Sequence, residues 1–444
     1  MNKTEFKESF SRRLAEKFAM GVADASPDEL YQTLGSLMTS AYSQNWQQTW
    51  KDYREADQKQ AYYFSIEFLP GKMLKSNLLN MGWLDMVTEG LAELNIDLED
   101  LAEVEPDMAL GNGGLGRLAS CFMDSIASMG LPGNGNGIRY EYGLFKQRFV
   151  DNYQVELPDE WLHKGNLWEV RKESKAVDVR IGGDVYMSHD EYGNLVPNYQ
   201  GGMMLRAVPY DTGMLGYQNG IVNTMRLWSV EISPEEEDRY RSIKDRRAVE
   251  DLTSVLYPDD SSEAGRRLRL SQEYFFVSAG VQSILRYYKQ LKKPMDEINQ
   301  YIAIHINDTH PALCVPELMR ILIDEENYEW DKAWDMTVKS ISFTNHTVLP
   351  EALEKWPIDM VKELLPRVYQ IIEEINRRFV NDMNWFYPDQ EARNYSISIL
   401  KDGHVHMAHL AIIGSHSVNG VAELHSKILR EETFKDFYAV FSER

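Results

Sequence analysis

The chain has 444 residues, of which 43% are hydrophobic and 11% aromatic, a composition typical of a globular protein with a sizeable core. Its formal net charge of -22 argues against nucleic acid and acidic membrane surfaces as partners, because both attract clustered positive charge. No apolar run approaches the roughly 20 residues of a membrane-spanning helix, and residues 1–20 lack the apolar core of a signal peptide. Since Cys121 and Cys314 are the only cysteines, we expect a soluble, cytoplasmic protein in a reducing compartment.

The order of sequence patterns predicts an α/β fold in one elaborated domain. Residues 1–57 are polar and helical, and residues 133–231 form a β-rich region of short Tyr-, Val- and Gly-rich runs separated by turns. Beyond Leu252, long helices alternate with short apolar strands, which is typical of a parallel sheet covered by helices. We find no internal repeat and no linker in the sequence. The first region carries an apolar stripe at Leu30, Leu34, Leu37 and Met38.

Residues 110–117 (Leu-Gly-Asn-Gly-Gly-Leu-Gly-Arg) form a glycine-rich turn before an amphipathic helix that Gly130 is placed to close. The first N–H groups of a helix have no intrahelical partner, and the helix dipole is positive there. Because Gly113 and Gly114 have no Cβ, an oxyanion can approach their backbone. The segment therefore predicts a phosphate cradle. The alternative is a glycine turn that only begins a buried helix.

The same segment matches the dinucleotide fingerprint G-x-G-x-x-G through Gly111, Gly113 and Gly116. That fingerprint requires a buried strand directly before it, whereas residues 103–109 contain a proline and three acids. The ribose-binding acid expected further on has only Glu141 as a candidate. An NAD-dependent oxidoreductase is therefore the less favoured interpretation.

Polar clusters follow two predicted strands. The strand at 301–306 ends in Asn-Asp-Thr-His at 307–310, and the strand at 339–343 ends in Thr-Asn-His-Thr at 344–347. Ligands of open α/β sheets bind at the carboxyl ends of strands, where such side chains converge. Imidazole and amide groups suit the hydroxyls of a sugar. Because no H-E-x-x-H or comparable spacing accompanies the histidines, we expect no metal site.

Three other segments have both a functional and a structural interpretation. Glu67 ends an apolar run and is either a pocket acid or a surface residue at a strand end. The basic cluster at 266–269 is either a phosphate contact or a solvated helix face. Residues 409–420 are predicted to form an apolar helix broken by a polar segment flanked by glycines. A two-carboxylate glycosidase stays open on residue types alone, because 69 acids offer many pairs.

Taken together, these segments resemble the α-glucan phosphorylases, the glycogen and maltodextrin phosphorylase family. The similar motifs occur in the family's order, and the resemblance covers the chain from about Gln32 to its last residue. So many ordered motifs are far more specific than one glycine pattern. They lie at 110–122, 137–143, 209–212, 222–228, 307–311, 344–353 and 414–422.

The resemblance implies a GT-B glycosyltransferase, in which two Rossmann-like domains face each other across a cleft. Residues 1–444 would form the amino-terminal half, with the β-rich region 133–231 inserted in it. The implied reaction is phosphorolysis of α-1,4-glucan to glucose 1-phosphate. The family's pyridoxal phosphate acts through its phosphate group, and the lysine that holds it belongs to a carboxyl-terminal domain that this chain would lack. We therefore expect a homodimer at full length, but neither activity nor cofactor binding from this fragment alone.

The resemblance also assigns roles to single residues. Gly113 and Gly114 would direct backbone N–H groups toward the substrate and cofactor phosphates. Leu115 would pack beneath the reacting glucose, and His416 would hold that sugar. A glucan-binding module without catalysis is the alternative function. The residues expected to bind glucan are Glu67, Tyr257, Asp260 (in the mobile gate segment), Asp308, His310 and Asn419.

Overall fold

The structure, a computed structural model, describes residues 1–193 and 195–444. Its strands are β1 Gln60–Phe64, β2 Phe68–Gly71, β3 Met108–Leu110, β4 Gly133–Ile138, β5 Gly143–Val150, β6 Tyr153–Asp159, β7 Glu169–Arg171, β8 Val177–Ile181, β9 Asp184–His189, β10 Leu195–Gln200, β11 Met203–Leu215, β12 Val222–Ile232, β13 Ile302–Asn307, β14 Ile341–Thr344, β15 Lys355–Pro357, β16 Leu400–Lys401, β17 His404–His406 and β18 Ser417–Asn419.

The described residues also form α-helices along the whole chain. They are α1 Lys3–Phe18, α2 Pro27–Glu55, α3 Leu74–Asn80, α4 Leu84–Ala92, α5 Leu98–Val104, α6 Leu115–Ser128, α7 Ile243–Glu250, α8 Glu263–Gln290, α9 Ile298–Tyr301, α10 Cys314–Arg320, α11 Trp330–Ser340, α12 Ile358–Leu364, α13 Pro366–Phe386, α14 Glu391–Ser396, α15 Met407–Ile413, α16 Glu423–Ile428 and α17 Lys435–Tyr438.

The main sheet runs in the order β18-β14-β13-β1-β4-β12-β11-β7, and β8 also pairs with β11. Every pair from β18 to β12 is parallel, and the strands beyond β12 are antiparallel. At the centre, Ala61 of β1 lies between Ala303 of β13 and Gly133 of β4. The carboxyl ends of β1, β13, β14 and β18 therefore meet at one edge.

The central strands are buried on both faces, as a parallel sheet covered by helices requires. Strand β4 has the sequence Gly-Asn-Gly-Asn-Gly-Ile, and every residue of it is buried. Its glycines make room for a ring, because a Cβ on Gly137 would lie 2.9 Å from Cδ2 of Phe68. In strands β13 and β14, on the other side of β1, isoleucines and Phe343 fill the core.

The helix α8 is the central helix of the fold. It begins at Ser262, whose hydroxyl accepts a hydrogen bond from the Gly265 N–H at 3.1 Å, and residues 270–281 are buried without interruption. A Cβ on Gly280 would lie 2.5 Å from Cε1 of Phe64, so the helix lies very close to β1. Its first turns extend to the carboxyl edge of the sheet.

The amino-terminal helices pack on the other part of the sheet. Ser26 and Glu29 form a capping box at the start of α2, and the indole N–H groups of Trp46 and Trp50 donate to the Thr224 hydroxyl of β12 at 2.9 and 3.1 Å. Within residues 1–193 and 195–444, no helix combines the length and the apolar character needed to span a bilayer.

Three features differ from the sequence expectations. The β-rich region 133–231 is not a separate insertion, because its first and last strands, β4 and β12, are neighbouring strands of the main sheet. The strand expected at 339–343 begins at Ile341, since the preceding residues continue α11. The polar segment after α15 is a strand, β18, which pairs with β14 at the sheet edge. Pairing across the sheet, which no local pattern encodes, decided the first and the third of these differences.

The substitution Phe343→Ala tests the core under the carboxyl edge. Phe343 is 0% exposed in β14, so the cavity should lower the free energy of unfolding by about 3 to 5 kcal/mol. Phe149→Ala also removes a phenyl ring, but from a side chain that is 81% exposed. This variant should change the free energy of unfolding by less than about 0.5 kcal/mol. Urea unfolding followed by circular dichroism measures both. Equal effects would contradict this assignment of the core.

Candidate active-site cleft

The glycine loop contains two pairs of glycines with different surroundings. Gly111 and Gly116 are packed together, since a Cβ on Gly116 would lie 2.9 Å from Cα of Gly111 and 3.0 Å from Oε2 of Glu67. In contrast, a Cβ on Gly113 or Gly114 would have no atom within 4 Å. The first pair thus fixes the loop on Glu67, and the second pair leaves the start of α6 open to solvent and to a ligand.

The carboxylate of Glu67 lies between the loop and the segment that begins at Tyr257. Glu67 is 2% exposed, which makes the surface interpretation wrong. Its Oε2 accepts a hydrogen bond from the Asn112 N–H at 2.7 Å, and its Oε1 accepts one from the Tyr257 hydroxyl. Burial, together with the charge of Glu67, raises the pKa of Tyr257 well above its usual range, so the phenol remains a donor. One side chain therefore connects two loops that are far apart in sequence.

The two polar clusters at the strand ends are neighbours, as the sequence predicts. The His346 ring donates from Nε2 to Oδ1 of Asn307 at 2.6 Å, and the Asn307 amide donates to the Ser65 hydroxyl at 3.1 Å. The N–H of Asp308 donates to the carbonyl of Thr344 at 2.8 Å, with φ of +61° at Asp308. This left-handed turn directs the chain after β13 across the sheet edge.

A cavity of about 540 Å³ opens between the loop and these clusters. A larger cavity of about 700 Å³ lies between α2 and the sheet and contains none of the residues predicted for the site. The smaller cavity joins the start of α6 to imidazole and carboxylate groups, so an anion and a polyol could bind side by side. Its lining is Gly114, Leu115, Leu118, Tyr257, Arg269, Asp308, Thr309, His310, His346, Thr347, Ala352, Glu354, Val421 and His425.

The basic cluster at the start of α8 holds the segment before it. Arg269 donates to a carboxylate oxygen of Asp260 at 2.9 Å and lies over the Tyr257 ring, 5.4 Å from its centroid. Arg266 donates to the carbonyls of Asp260 and Ser261, and Arg267 pairs with two glutamates. Arg266 and Arg267 therefore lie on a partly exposed helix face and bind groups of the protein. Arg269 borders the cavity.

Two histidines near the cleft, His346 and His305, have a lowered pKa. Burial lowers the pKa of His346, although the nearby Asp308 opposes the shift. Burial also lowers the pKa of His305 to about 4. That ring stacks on Tyr63 with 5.4 Å between centroids, and hydroxyls bond both of its nitrogens. In the described part of the chain, no three His, Cys, Asp or Glu side chains converge as a metal site would need.

Residues 91–444 match the family model Phosphorylase, described as carbohydrate phosphorylase. The chain belongs to the carbohydrate phosphorylase family. It is 48% identical to the glycogen phosphorylase of Bacillus subtilis (strain 168), over 100% of this chain and 55% of that relative. The glycogen phosphorylase of Chlamydia pneumoniae is 42% identical over 98% of this chain and 55% of its own length. The muscle form from Homo sapiens is 42% identical over 98% of this chain and 53% of its own length.

The resemblance found in the sequence is thus confirmed, and the chain spans about half the length of these curated relatives. For this phosphorylase chain, the dinucleotide interpretation of the glycine loop is contradicted. The strand before the loop, β3, pairs antiparallel with β2 in a separate two-stranded sheet and not in the parallel sheet. A dinucleotide fold places its glycine loop after a strand of the parallel sheet.

The structure brings most of the predicted residues together. Glu67 lies directly behind the cavity, Gly113 adjoins it, and Asp260 is held by Arg269 on its rim. Asn419 lies just beyond it, where its Oδ1 accepts from the Thr344 hydroxyl at 3.1 Å. The predicted residues that line the cavity are Gly114, Leu115, Tyr257, Asp308 and His310.

The position of His416 contradicts its predicted sugar contact. It lies just before β18, where its N–H donates to the carbonyl of Ile341 and its ring to that of Val338. That is the amino end of the parallel strands, whereas the cavity is at their carboxyl ends. Histidine His346 lines the cavity instead, on a cluster that the sequence placed correctly at a strand end. The error arose because the segment 414–420 contains the strand β18, which separates His416 at the amino edge of the sheet from Asn419 at the carboxyl edge.

Sequence reasoning also missed Arg269, Glu354 and His425 as lining residues. Arg269 had a signal in the basic cluster at 266–269, but its partners could not be predicted. Glu354 and His425 follow no motif that relates them to a strand end.

Matched glycine substitutions test the packing of the loop. Gly116→Ala places a methyl within 3.0 Å of two groups, so we expect a loss of about 1 to 3 kcal/mol in the free energy of unfolding. A Cβ on Gly113 would have no atom within 4 Å. Gly113→Ala should therefore change the free energy of unfolding by less than about 0.5 kcal/mol. Thermal unfolding measures the difference. Equal destabilisation by both would show that the packed and open pairs are assigned incorrectly.

A pH dependence follows from His305. Its pKa of about 4 in the folded chain lies below the ordinary 6.5, so the unfolded chain binds the proton more tightly. The stability that neutral His305 gives is complete above pH 6.5 and is lost as the pH falls through 4, by up to about 3 kcal/mol. His305→Gln keeps an amide donor and acceptor but does not titrate. Its unfolding free energy should therefore fall less than that of the wild type between pH 7 and pH 4, and parallel curves would contradict the prediction.

Proposed function

We propose that this chain forms the amino-terminal half of a GT-B phosphorylase that cleaves α-1,4-glucan with inorganic phosphate to give glucose 1-phosphate. The proposal concerns proteins of the relatives' full length, about twice that of this chain. The observation that carries it is the shared cavity: the open helix start at Gly114 and Leu115 faces the same space as Asp308, His310 and His346. A phosphate and a sugar could therefore meet there.

The glycine loop would stabilise the phosphate. The N–H groups at the start of α6 lack intrahelical partners and lie at the positive end of the helix dipole. With open space at Gly113 and Gly114, an oxyanion can reach those groups without displacing a side chain. Donors fixed in advance stabilise the charge that develops between phosphate and the anomeric carbon. The substrate phosphate itself can protonate the leaving oxygen, so no protein general acid is invoked.

The polar wall would bind the glucan. The imidazoles of His310 and His346 can hydrogen-bond to sugar hydroxyls, and Asp308 can accept from them. The half-buried His310 has no hydrogen-bond partner at its buried Nδ1 in the described part of the chain, which leaves that atom for a ligand. Tyr257 lines the cavity and could stack on a glucosyl ring. Leu115 would contact the apolar face of the reacting sugar.

Pyridoxal phosphate, the cofactor implied by the resemblance, fits this chain on one side only. The open loop at Gly113 and Gly114 suits a phosphate group. Among the described residues that line the cavity there is no lysine to hold the cofactor's carbonyl. When bound, the cofactor supplies a second phosphate beside the substrate phosphate. We therefore propose that this chain contributes phosphate contacts alone, and that the family's homodimer forms at full length.

Calorimetry with maltoheptaose tests the glucan wall. Asp308→Asn and His346→Ala should each weaken binding about 10-fold, since each removes one or two hydrogen bonds to sugar hydroxyls. The matched control is His416→Ala, which removes an imidazole at the other end of the sheet and should leave binding unchanged. An equal loss in all three variants, or in none, would contradict the site.

A turnover assay separates the two candidate functions. With maltoheptaose and phosphate, a protein of the relatives' length should release glucose 1-phosphate, and the 444-residue chain should bind glucan without turnover. Release of glucose 1-phosphate by the purified 444-residue chain would contradict this division of the site. Binding without turnover by the longer protein would favour the glucan-binding module.

A further inference from the structure

A buried pair of carboxyls lies under the cleft, and the proposed reaction does not use it. Glu273, one helical turn after Arg269 in α8, is 0% exposed. Glu354, in the turn before β15, has a side chain that is 10% exposed. Both carboxyls lie beside one guanidinium, because Arg269 is 3.6 Å from Oε1 of Glu273 and 3.3 Å from Oε1 of Glu354. Two carboxylates in such a place would repel each other strongly.

The neighbouring groups cannot balance two negative charges. Arg269 lies 3.6 Å from Oε1 of Glu273 and 3.3 Å from Oε1 of Glu354, but its third nitrogen is bound to Asp260. Neither oxygen of Glu273 accepts a hydrogen bond of good geometry from the described residues, and the Trp356 indole, which faces Glu273, likewise has no partner of good geometry. A buried carboxylate without donors is very unfavourable, whereas a protonated carboxyl can donate.

The side chain of Glu354 lies at the edge of the cavity and contacts another lining residue. Its Oε2 accepts from the Thr309 hydroxyl at 3.1 Å, and Thr309 lines the cavity. Its Oε1 has no donor with hydrogen-bond geometry in the described structure. A proton on Glu273 would satisfy this oxygen and leave one negative charge on the pair for Arg269.

We propose that Glu273 and Glu354 share one proton, with Glu273 as the donor, and that Glu273 is thereby a positioning residue that keeps Arg269 bound to Asp260 beside the cleft. Ionised Glu273 would compete for Arg269 from its own helix and release the segment from Tyr257 to Asp260. This holds whichever ligand fills the cleft, so it stands apart from the proposed glucan function.

The electrostatic surroundings agree with the geometry. Burial raises the pKa of Glu273 well above its usual range, and the charge of Glu354 raises it further. Arg269 offsets these two effects only in part. The other groups that face the pair are the Trp356 indole and the buried Tyr140 hydroxyl, whose own pKa is raised by burial. Neither of these supplies a positive charge.

Stability as a function of pH provides the first test. The folded chain holds a proton on Glu273 that the unfolded chain releases above the ordinary glutamate pKa, so wild-type stability falls as the pH rises through and above that range. Glu273→Gln keeps a donor toward Glu354 and does not titrate. Its melting temperature should therefore exceed that of the wild type by a margin that widens from pH 5 to pH 8. A constant or negative margin would overturn the shared proton.

Glu317→Gln is the matched control. Glu317 is also 0% exposed, but Tyr274, Ser278 and two nitrogens of Arg320 all donate to its carboxylate, at 2.7 to 3.0 Å. An amide there faces donors with its own NH₂ group, so this variant should melt below the wild type at every pH from 5 to 8. A margin that widens with pH in this variant too would show that the effect is not specific to Glu273.

Hydrogen exchange of residues 255–262 at pH 7 tests the positioning role. Arg269→Met and Glu273→Leu should each accelerate exchange of this segment at least 10-fold, the first by removing the ion pair and the second by removing the donor to Glu354. Glu273→Gln should keep the wild-type protection. The positioning role is overturned if Glu273→Gln exchanges like Glu273→Leu, or if Arg269→Met leaves the segment protected.

Discussion

The buried carboxylate of Glu67 is the contact on which the geometry of the cleft depends. It accepts from the backbone of Asn112 in the glycine loop and from the hydroxyl of Tyr257, which lies 190 positions away in sequence. Without it, the loop and the Tyr257 segment would have no common anchor. Because the acceptor is 2% exposed, water cannot replace these donors, and both loops are held in one orientation.

This anchor explains why the loop needs so many glycines. A carboxylate can reach the backbone N–H of Asn112 only if Gly111 and Gly116 carry no side chain, since a Cβ on either would lie about 3 Å from Glu67. The packed glycines thus make room for the carboxylate of Glu67, whereas Gly113 and Gly114 stay open to a ligand. The sequence motif predicted the open pair as the phosphate contact but did not show that Gly111 and Gly116 pack against Glu67.

Positive charge at the cleft is used mainly within the protein. In a chain of net charge -22, the arginines at the start of α8 bind carbonyl and carboxylate groups of the segment that precedes them. Arg269 therefore borders the cavity but is already shared among Asp260, Glu354 and Glu273. An anion in this cleft would depend on the backbone N–H groups at Gly113 and Gly114, where the surrounding space is open.

The sequence by itself determined the local elements and the chemistry of the loop. The apolar period of α6, the glycine at its end and the apolar strands β13 and β14 are all encoded within a few residues, because helix and strand periods are local properties. The ordered motifs also identified the family. Only the tertiary structure decided that β4 and β12 lie side by side, that Glu67 is buried and that His346, not His416, reaches the cavity. These facts depend on which strands pair and on which end of each strand meets the cleft, and such long-range contacts leave no periodic trace in the chain.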